Sequence, residues 1–583
     1  MTFAPRVHAA LLTVVLSSTV LGTQALADGP PSHRPGPLAG RSDVAAMVDL
    51  ETKMADSLHA GHAVPIEFGS PARTPGDVVG TSGWGDSGLW TGVYLGGESF
   101  RYAVAKAQLA EGGDHDDHDD QDDHDKGQGK GNEGEQDDGF WRTQRDQALG
   151  RVTAMLAAQH RDISIAEDWT GSLRVPPAVN TANPTGTHAA DFGGGVVAGE
   201  RGMIMRACTP VGLGRLGVAD PTQDAANPVN NNSNRVFRIT WAHGDGRTYN
   251  CETSPSRDTY AGLTFGLLTA YDLVGPDRPA LRAQIRADLL AMGEFLLKYG
   301  WSYPRPHGYV SAKHDFDGFI SPLFVQVPMA RLNLTNAVRH VLADGGAAPD
   351  RQKWDAVWAE ELASQGPALA PSLEIDSAQP NAGYYKFNLH HLTGFNLLRT
   401  TSGAERDLFA RAFAVMDKTT RDDVNAHFEA ITYALTGDRP RLDATVTHLR
   451  QWLTYRTTVQ TGAPVRNSPR CGPALACVRD DQYEIAVEQA PGGSVTWFPG
   501  APAVPPVSQA TGLRAARPLP VAVRPPSDFL WQRPPTALDG GQGPAAREPG
   551  IDFLTPYWMT RYYTEVAPPA ARPLPEWAGP AHL

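Results

Sequence analysis

Apolar residues recur at the 3.6-residue helical spacing in twelve segments: Asp43–Leu58, Leu89–Leu109, Phe140–His160, Thr259–Val274, Pro279–Tyr299, Leu323–Ala343, Lys353–Ala363, Tyr385–Arg399, Glu405–Asp417, Val424–Leu435, Arg441–Trp452 and Phe553–Tyr563. Each such helix must bury one face against a neighbour. Short turn signals join several of them: Val274-Gly275-Pro276 leads into the segment from Pro279, and Thr436-Gly437-Asp438 leads into the segment from Arg441. The pattern therefore predicts successive antiparallel helical hairpins. Six such pairs close into an (α/α)6 toroid whose inner helices face a central cleft. An open α-solenoid is the other arrangement, but no fixed-period repeat supports one.

Two long stretches interrupt the helices. Gly171–Thr248 and Gln460–Pro549 are rich in Gly, Asn and Pro, and loops of that length in a helical domain cover a site or pack as accessory strands. Arg235–Trp241 (RVFRITW) and Tyr483–Val487 have β-type composition and read as short strands. The expected class is mainly α, with long loops and a few short accessory strands.

The chain is 583 residues long and 41% hydrophobic, enough for a large core. Its start has the grammar of an export signal: Arg6, an apolar run from Ala9 to Leu21, and Ala25-Leu26-Ala27 before Asp28. We expect residues 1–27 to be a signal peptide and 28–583 one toroid domain, secreted to the periplasm or beyond. A retained N-terminal anchor is the alternative, though the apolar run is short for a membrane span. Export favours disulfides. Cys471 and Cys477 are six apart, which suits a small closed loop, leaving Cys208 and Cys251 to pair by elimination. A free thiol nucleophile is the weaker reading, and no Cys has a second zinc ligand at finger-like spacing.

The net charge of −13 is concentrated in one insert. Thirteen acids against Lys126 and Lys130 give Glu111–Asp138 a local charge of −11, so the remainder carries −2. A nearly neutral body favours neither nucleic acid nor an anionic membrane. The insert has no apolar residues to fold around, so it reads as a solvated, disordered run. His115, His118 and His124 among its aspartates suit at most weak divalent-cation binding, because the fixed turn glycine and ordered carbonyls of a calcium loop are missing. No metal centre and no cofactor are expected.

Three clusters carry candidate chemistry. In Trp84–Tyr102 (WGDSGLWTGVYLGGESFRY), Asp86 stands where a helix starts, and Trp90, Tyr94, Glu98 and Arg101 follow on one face. Aromatics stack on sugar rings, while carboxylates and arginine bind hydroxyls or move protons. The competing reading is an internal ion pair among core aromatics. The second cluster is Arg257, Asp258 and Tyr260 at the start of an apolar helix, with His314 and Asp315 after a Gly/Pro-rich loop; Asp258 reads equally as an N-cap. The third places Tyr384, Tyr385, Asn388 and His391 on one helix, with Asn425 and His427 farther on. A lone buried histidine is usually structural, but a Tyr/Asn/His face is an unusual choice for a core.

The segments WGDSGLWTGVYLGGESFRYA, ETSPSRDTYAGLTFGLLTAYDLV, YYKFNLHHLTGFNLLR, SDFLWQRPP and PGIDFLTPYWMTRYY together resemble poorly characterised exported bacterial proteins of the six-hairpin glycosidase-like class. The likeness covers roughly residues 84–563. It implies an (α/α)6 toroid and a carbohydrate partner, while the class holds hydrolases, lyases and epimerases alike. A hydrolase needs two carboxylates flanking the glycosidic bond, and Asp86 with Asp258 is the preferred pair, Glu98 the third candidate. A lyase needs a base beside a uronate and a group to neutralise the enolate, parts that Tyr385, Asn388, His391 and Arg257 suit. A glycan-binding protein would instead use platforms such as Trp84, Trp90, Trp531 and Trp558. Hydrolysis is the preferred expectation, and the oligomeric state is open.

Overall fold

All twelve periodic segments are helical among the described residues of the chain, a computed structural model that describes residues 36–70, 77–112, 138–170, 172–175, 195–218, 236–253, 255–299, 301, 326–377, 384–460, 487–489, 513–521, 524, 529–537, 546–547 and 550–577. They are α1 (Arg41–Ser57), α2 (Ser87–Gly112), α3 (Asp138–Ser164), α4 (Arg257–Leu273), α5 (Pro279–Lys298), α6 (Gln326–Ala343), α7 (Ala348–Ser377), α8 (Tyr385–Thr400), α9 (Gly403–Thr420), α10 (Ala426–Thr436), α11 (Arg439–Gln460) and α12 (Ile551–Arg561). Two differ clearly in length: α11 runs on to Gln460, past the expected end at Trp452, and α7 departs further. The period predicts an end near Ala363, yet α7 continues through Pro367 and Pro371. Each proline removes a backbone bond, but the buried Leu369 and Leu373 keep the extra turns packed.

Local chemistry sets the ends. Ser256 caps α4 by accepting from the Thr259 amide, and the Thr259 side chain returns to the Ser256 backbone, a full capping box. Gly437 takes a left-handed φ of 71° after α10, so the chain turns directly into α11.

Glycines decide how closely the first inner pair packs. A Cβ on Gly92 would lie 2.1 Å from the Gly262 carbonyl oxygen, and one on Gly266 would lie 2.3 Å from that of Gly92. Helices α2 and α4 therefore touch backbone to backbone. Gly88 faces Thr259 and Gly96 faces Phe265, so the two helices run in the same direction. The same sense recurs elsewhere: Asn333 and Asn336 of α6 bond Asn396 and Thr400 of α8, and Val93 and Arg101 of α2 meet Thr555 and Trp558 of α12. Contacts link α2 to α4, α4 to α6 and α8, α6 to α8, α8 to α10, α10 to α12, and α12 back to α2. The intervening helices pack against these: α3 on α2 and α5, α7 on α6 and α9, α11 on α10 and α12. At the carboxyl-terminal ends, Asp272 joins Arg399 and His340; farther in, Phe395 meets Phe100 and Tyr563 edge-on and Phe265 at a tilt.

The strands are short. β1 (Leu58–His59) pairs with β2 (His62–Ala63); β3 (Ile66–Phe68) lies between β4 (Val78–Thr81) and β12 (Ala546–Arg547); β5 (Ser172–Val175) pairs with β6 (Gly195–Ala198). A further sheet has β9 (Thr248–Glu252) between β7 (Ala207–Pro210) and β8 (Val236–Thr240), the latter matching most of RVFRITW. In it Cys208 stands directly opposite Cys251, and the two form a disulfide. β10 (Val487–Gln489) pairs with β11 (Leu513–Ala515); of the expected strand Tyr483–Val487, Val487 is in β10 and residues 483–486 lie outside the described residues. Cys471, Cys477, residues 1–27 and residues 113–137 lie outside the described residues. No helix among the described residues is long and apolar enough to cross a membrane.

Candidate active site

Two groups of polar side chains gather at the amino-terminal ends of alternate helices. The first is the carboxylate pair. Because Ser256 does the capping, Asp258 sits in the first turn of α4 without serving as the cap. It is half-buried. Desolvation, then repulsion from Asp86, raise its carboxyl to about 6 against the pull of Arg257 and Arg206. Asp86 closes the one-turn helix Trp84–Asp86 before α2; its side chain is 47% exposed and lies 3.8 Å from Arg206, which also donates to the Gly85 carbonyl. One carboxyl is thus biased toward its protonated form beside a solvated one, the pairing an acid and a base require.

The second group is fully buried. His391 Nδ1 lies 2.7 Å from the Phe387 carbonyl, an acceptor, so Nδ1 carries the proton and Nε2 keeps its lone pair. Among the described residues that Nε2 has no hydrogen-bond partner, nor has Asn388 Oδ1, nor either ring nitrogen of His427. Burial pushes the His391 imidazole well below its ordinary range and that of His427 to about 3. Both rings are neutral. His391 stacks on Phe428 at 3.8 Å, and His427 meets Phe529 edge-on at 5.5 Å. Phe529 in turn stacks on Trp90 of α2 at 4.5 Å, linking this group to the helix that follows Asp86.

The segment around Phe529 is held from three sides. Trp531 Nε1 donates to the Asp552 carbonyl at 2.7 Å, the Leu530 amide donates to the Asp552 carboxylate at 2.9 Å, and Asn425 Nδ2 donates to the Trp531 carbonyl at 3.0 Å. Gln532 accepts from Asn388 Nδ2 at 3.2 Å. Just before α10, Val424 adopts φ of 55°, unusual for a β-branched residue, and Arg524 holds it by donating to the carbonyls of Asp423 and Val424. Asp423 also accepts from Tyr384 at 2.7 Å, and its burial raises its carboxyl to about 6. The start of α10, and with it His427, is fixed by this strained turn.

The remaining sequence candidates lie elsewhere or are engaged. Tyr94, Glu98 and Arg101 do not join Asp86; they meet Glu51 of α1, Arg151 of α3 and Trp558 of α12. Arg101 Nη1 is 3.1 Å from both Glu51 and Glu98, Arg151 is 3.3 Å from Glu98, and Tyr94 donates to Glu51 at 3.1 Å. Trp558 Nε1 donates to Glu51 at 3.0 Å, while Gln144 and Gln147 accept from Arg101. This is a closed, buried ion network, and it accounts for every one of those side chains. Tyr260 and Arg257 are buried at the start of α4, Tyr385 is half-buried at the start of α8, and Trp531 is buried with its indole engaged. His314 and Asp315 lie outside the described residues. Phe529, Gln532, Arg206 and Asp423 were not singled out from sequence: three sit in loops without a period, and the aromatic and amide content of SDFLWQRPP was the one available signal. No known protein family, curated protein or solved structure matches the chain.

Proposed function

We propose that the chain is an exported glycoside hydrolase built as an (α/α)6 toroid, with Asp258 as general acid and Asp86 as its partner carboxylate. The single observation that carries this is the pairing of a half-buried carboxyl raised to about 6 with a solvated one on the neighbouring helix start. With its carboxyl raised to about 6, Asp258 keeps a protonated fraction in mildly acidic solution and is suited to give that proton to a glycosidic oxygen, and the solvated Asp86 to act as base or nucleophile. The toroid is supported by the closed sequence of contacts among α2, α4, α6, α8, α10 and α12, and by their shared direction. Export is supported by the leader pattern of residues 1–27 and agrees with the Cys208–Cys251 bridge.

Elimination from a uronate is the second reading, favoured by one observation: the bare, unprotonated Nε2 of His391, the form a base needs. Digestion of neutral and uronate glycans separates the two. Hydrolysis releases reducing ends without the absorbance of an unsaturated uronate, and Asp86→Asn and Asp258→Asn each lower turnover by about a hundredfold or more. Absorbance appearing with the reducing ends, or full activity in both variants, defeats the assignment; glycan binding without either product makes the chain a binding protein.

A further inference from the structure

Asn388, His391 and His427 carry hydrogen-bonding capacity that the described residues leave unused. Each is buried. Asn388 spends its amide group on Gln532 and has a bare carbonyl oxygen. His391 spends Nδ1–H on the Phe387 carbonyl and has a bare lone pair at Nε2. Neutral His427 has one bare N–H and one bare lone pair. The bare atoms thus offer three acceptors and, at His427, one donor. Single unpaired atoms occur elsewhere in the core, but here three side chains from two adjoining helices are open together, and buried polar atoms are ordinarily paired by protein, water or ligand.

We propose that Asn388, His391 and His427 form a subsite for one uncharged sugar ring of the substrate, and that this subsite rejects a uronate. The proposal rests on the carbohydrate reading above. Three acceptors need a partner rich in donors, which hydroxyl groups are; a carboxylate can only accept, and its charge would face three lone pairs in a site lined by Phe428 and Phe529. Protonating a histidine to receive it is opposed by burial, which holds both imidazoles neutral. A metal ion is a poor occupant, because two imidazoles lack a carboxylate or thiolate to complete a set, and no group of three such ligands occurs among the described residues. Calorimetric titration reads occupancy.

The test is titration of the Asp258→Asn protein, in which a bound glycan stays intact, with cellotetraose, xylotetraose, mannotetraose, maltotetraose and tetragalacturonate. At least one neutral tetrasaccharide should bind at least about tenfold more tightly than tetragalacturonate, and adding His427→Phe should weaken that binding about tenfold. The same substitution should leave the melting temperature unchanged or raise it, since it replaces an unpaired buried polar ring by an apolar one of similar shape. A structural histidine would show the reverse, lost stability with unchanged binding. Binding of no neutral probe, equal or tighter binding of tetragalacturonate, or a His427→Phe protein that is destabilised overturns the subsite. Because binding is read without turnover, neutral-sugar selectivity in an enzyme that fails to hydrolyse would defeat the hydrolase reading and leave the subsite standing.

Discussion

Replacing Asp258 by asparagine should remove activity and yet stabilise the protein, with a pH dependence of defined sign. The folded carboxyl titrates at about 6, against an ordinary 3.8, because desolvation and Asp86 disfavour its charge. A raised acid pKa means that the folded state prefers the protonated form. Its contribution is present in full below the unfolded pKa and is lost as pH rises from there through about 6. Two units correspond to about 3 kcal/mol at pH 8, reduced to about 1–2 kcal/mol because the side chain is half-buried and partly screened by water. Asparagine keeps the shape without the charge and escapes this penalty. The favourable interaction of a first-turn carboxylate with the helix dipole, about 0.3–1 kcal/mol, opposes the gain and is smaller. Urea midpoints at pH 8 and pH 4 measure the difference, urea being chosen over guanidinium because salt screens charges. The variant should exceed the parent at pH 8, and the gap should close at pH 4. An Asp258→Asn midpoint equal to or below the parent at pH 8 would show that the carboxylate serves the helix start, and the acid assignment would fall with it.

Glu98→Gln tests the ion network as structure: breaking a buried pair should cost about 3–5 kcal/mol in unfolding free energy and leave turnover per folded molecule unchanged, and a selective loss of turnover would return Glu98 to the site. Gly92→Ala should destabilise by about 1–3 kcal/mol, since its Cβ would meet the Gly262 backbone at 2.1 Å, whereas Gly150→Ala, with open space around it, should stabilise by about 0.5–1 kcal/mol; calorimetry of the pair decides whether the glycine contact sets the α2–α4 spacing. Reducing Cys208–Cys251 frees a loop closed over a separation of 43 residues, worth about 4 kcal/mol on the chain-entropy account, so the melting temperature should drop on treatment with dithiothreitol, and an unchanged melt would mean that the sheet alone holds this region.

Twelve helices were legible in the sequence because the apolar period is a local property that each helix carries by itself. The turn chemistry was equally local: Gly437 reads as a stop, and TSPSRDT contains the capping box that later removed Asp258 from capping duty. The seam of Gly88, Gly92 and Gly96 was visible as spacing, but its partner, Gly262 and Gly266, became meaningful only once α4 lay against it.

What one helix face meets is a different kind of question. Trp90, Tyr94, Glu98 and Arg101 share a face by spacing, yet that face is long enough to touch different neighbours along its length. Trp90 near the start meets Phe529, while the other three, farther along, meet α1, α3 and α12 and neutralise one another there. The sequence alone made this stripe one cluster; the tertiary contacts divided it between a candidate site and a structural ion network. His391 and His427 show the same limit from the other side. Their residue types were legible, but an unpaired nitrogen is defined by which atoms fail to arrive from the rest of the chain, and that is settled only when Phe387, Phe428 and Phe529 have packed around them. Period and turn chemistry depend on a few adjacent residues, so the sequence determined the helices and their ends. Burial, charge coupling and hydrogen-bond satisfaction depend on residues far apart in the chain, so only the tertiary structure decided which of the polar side chains were left available for chemistry.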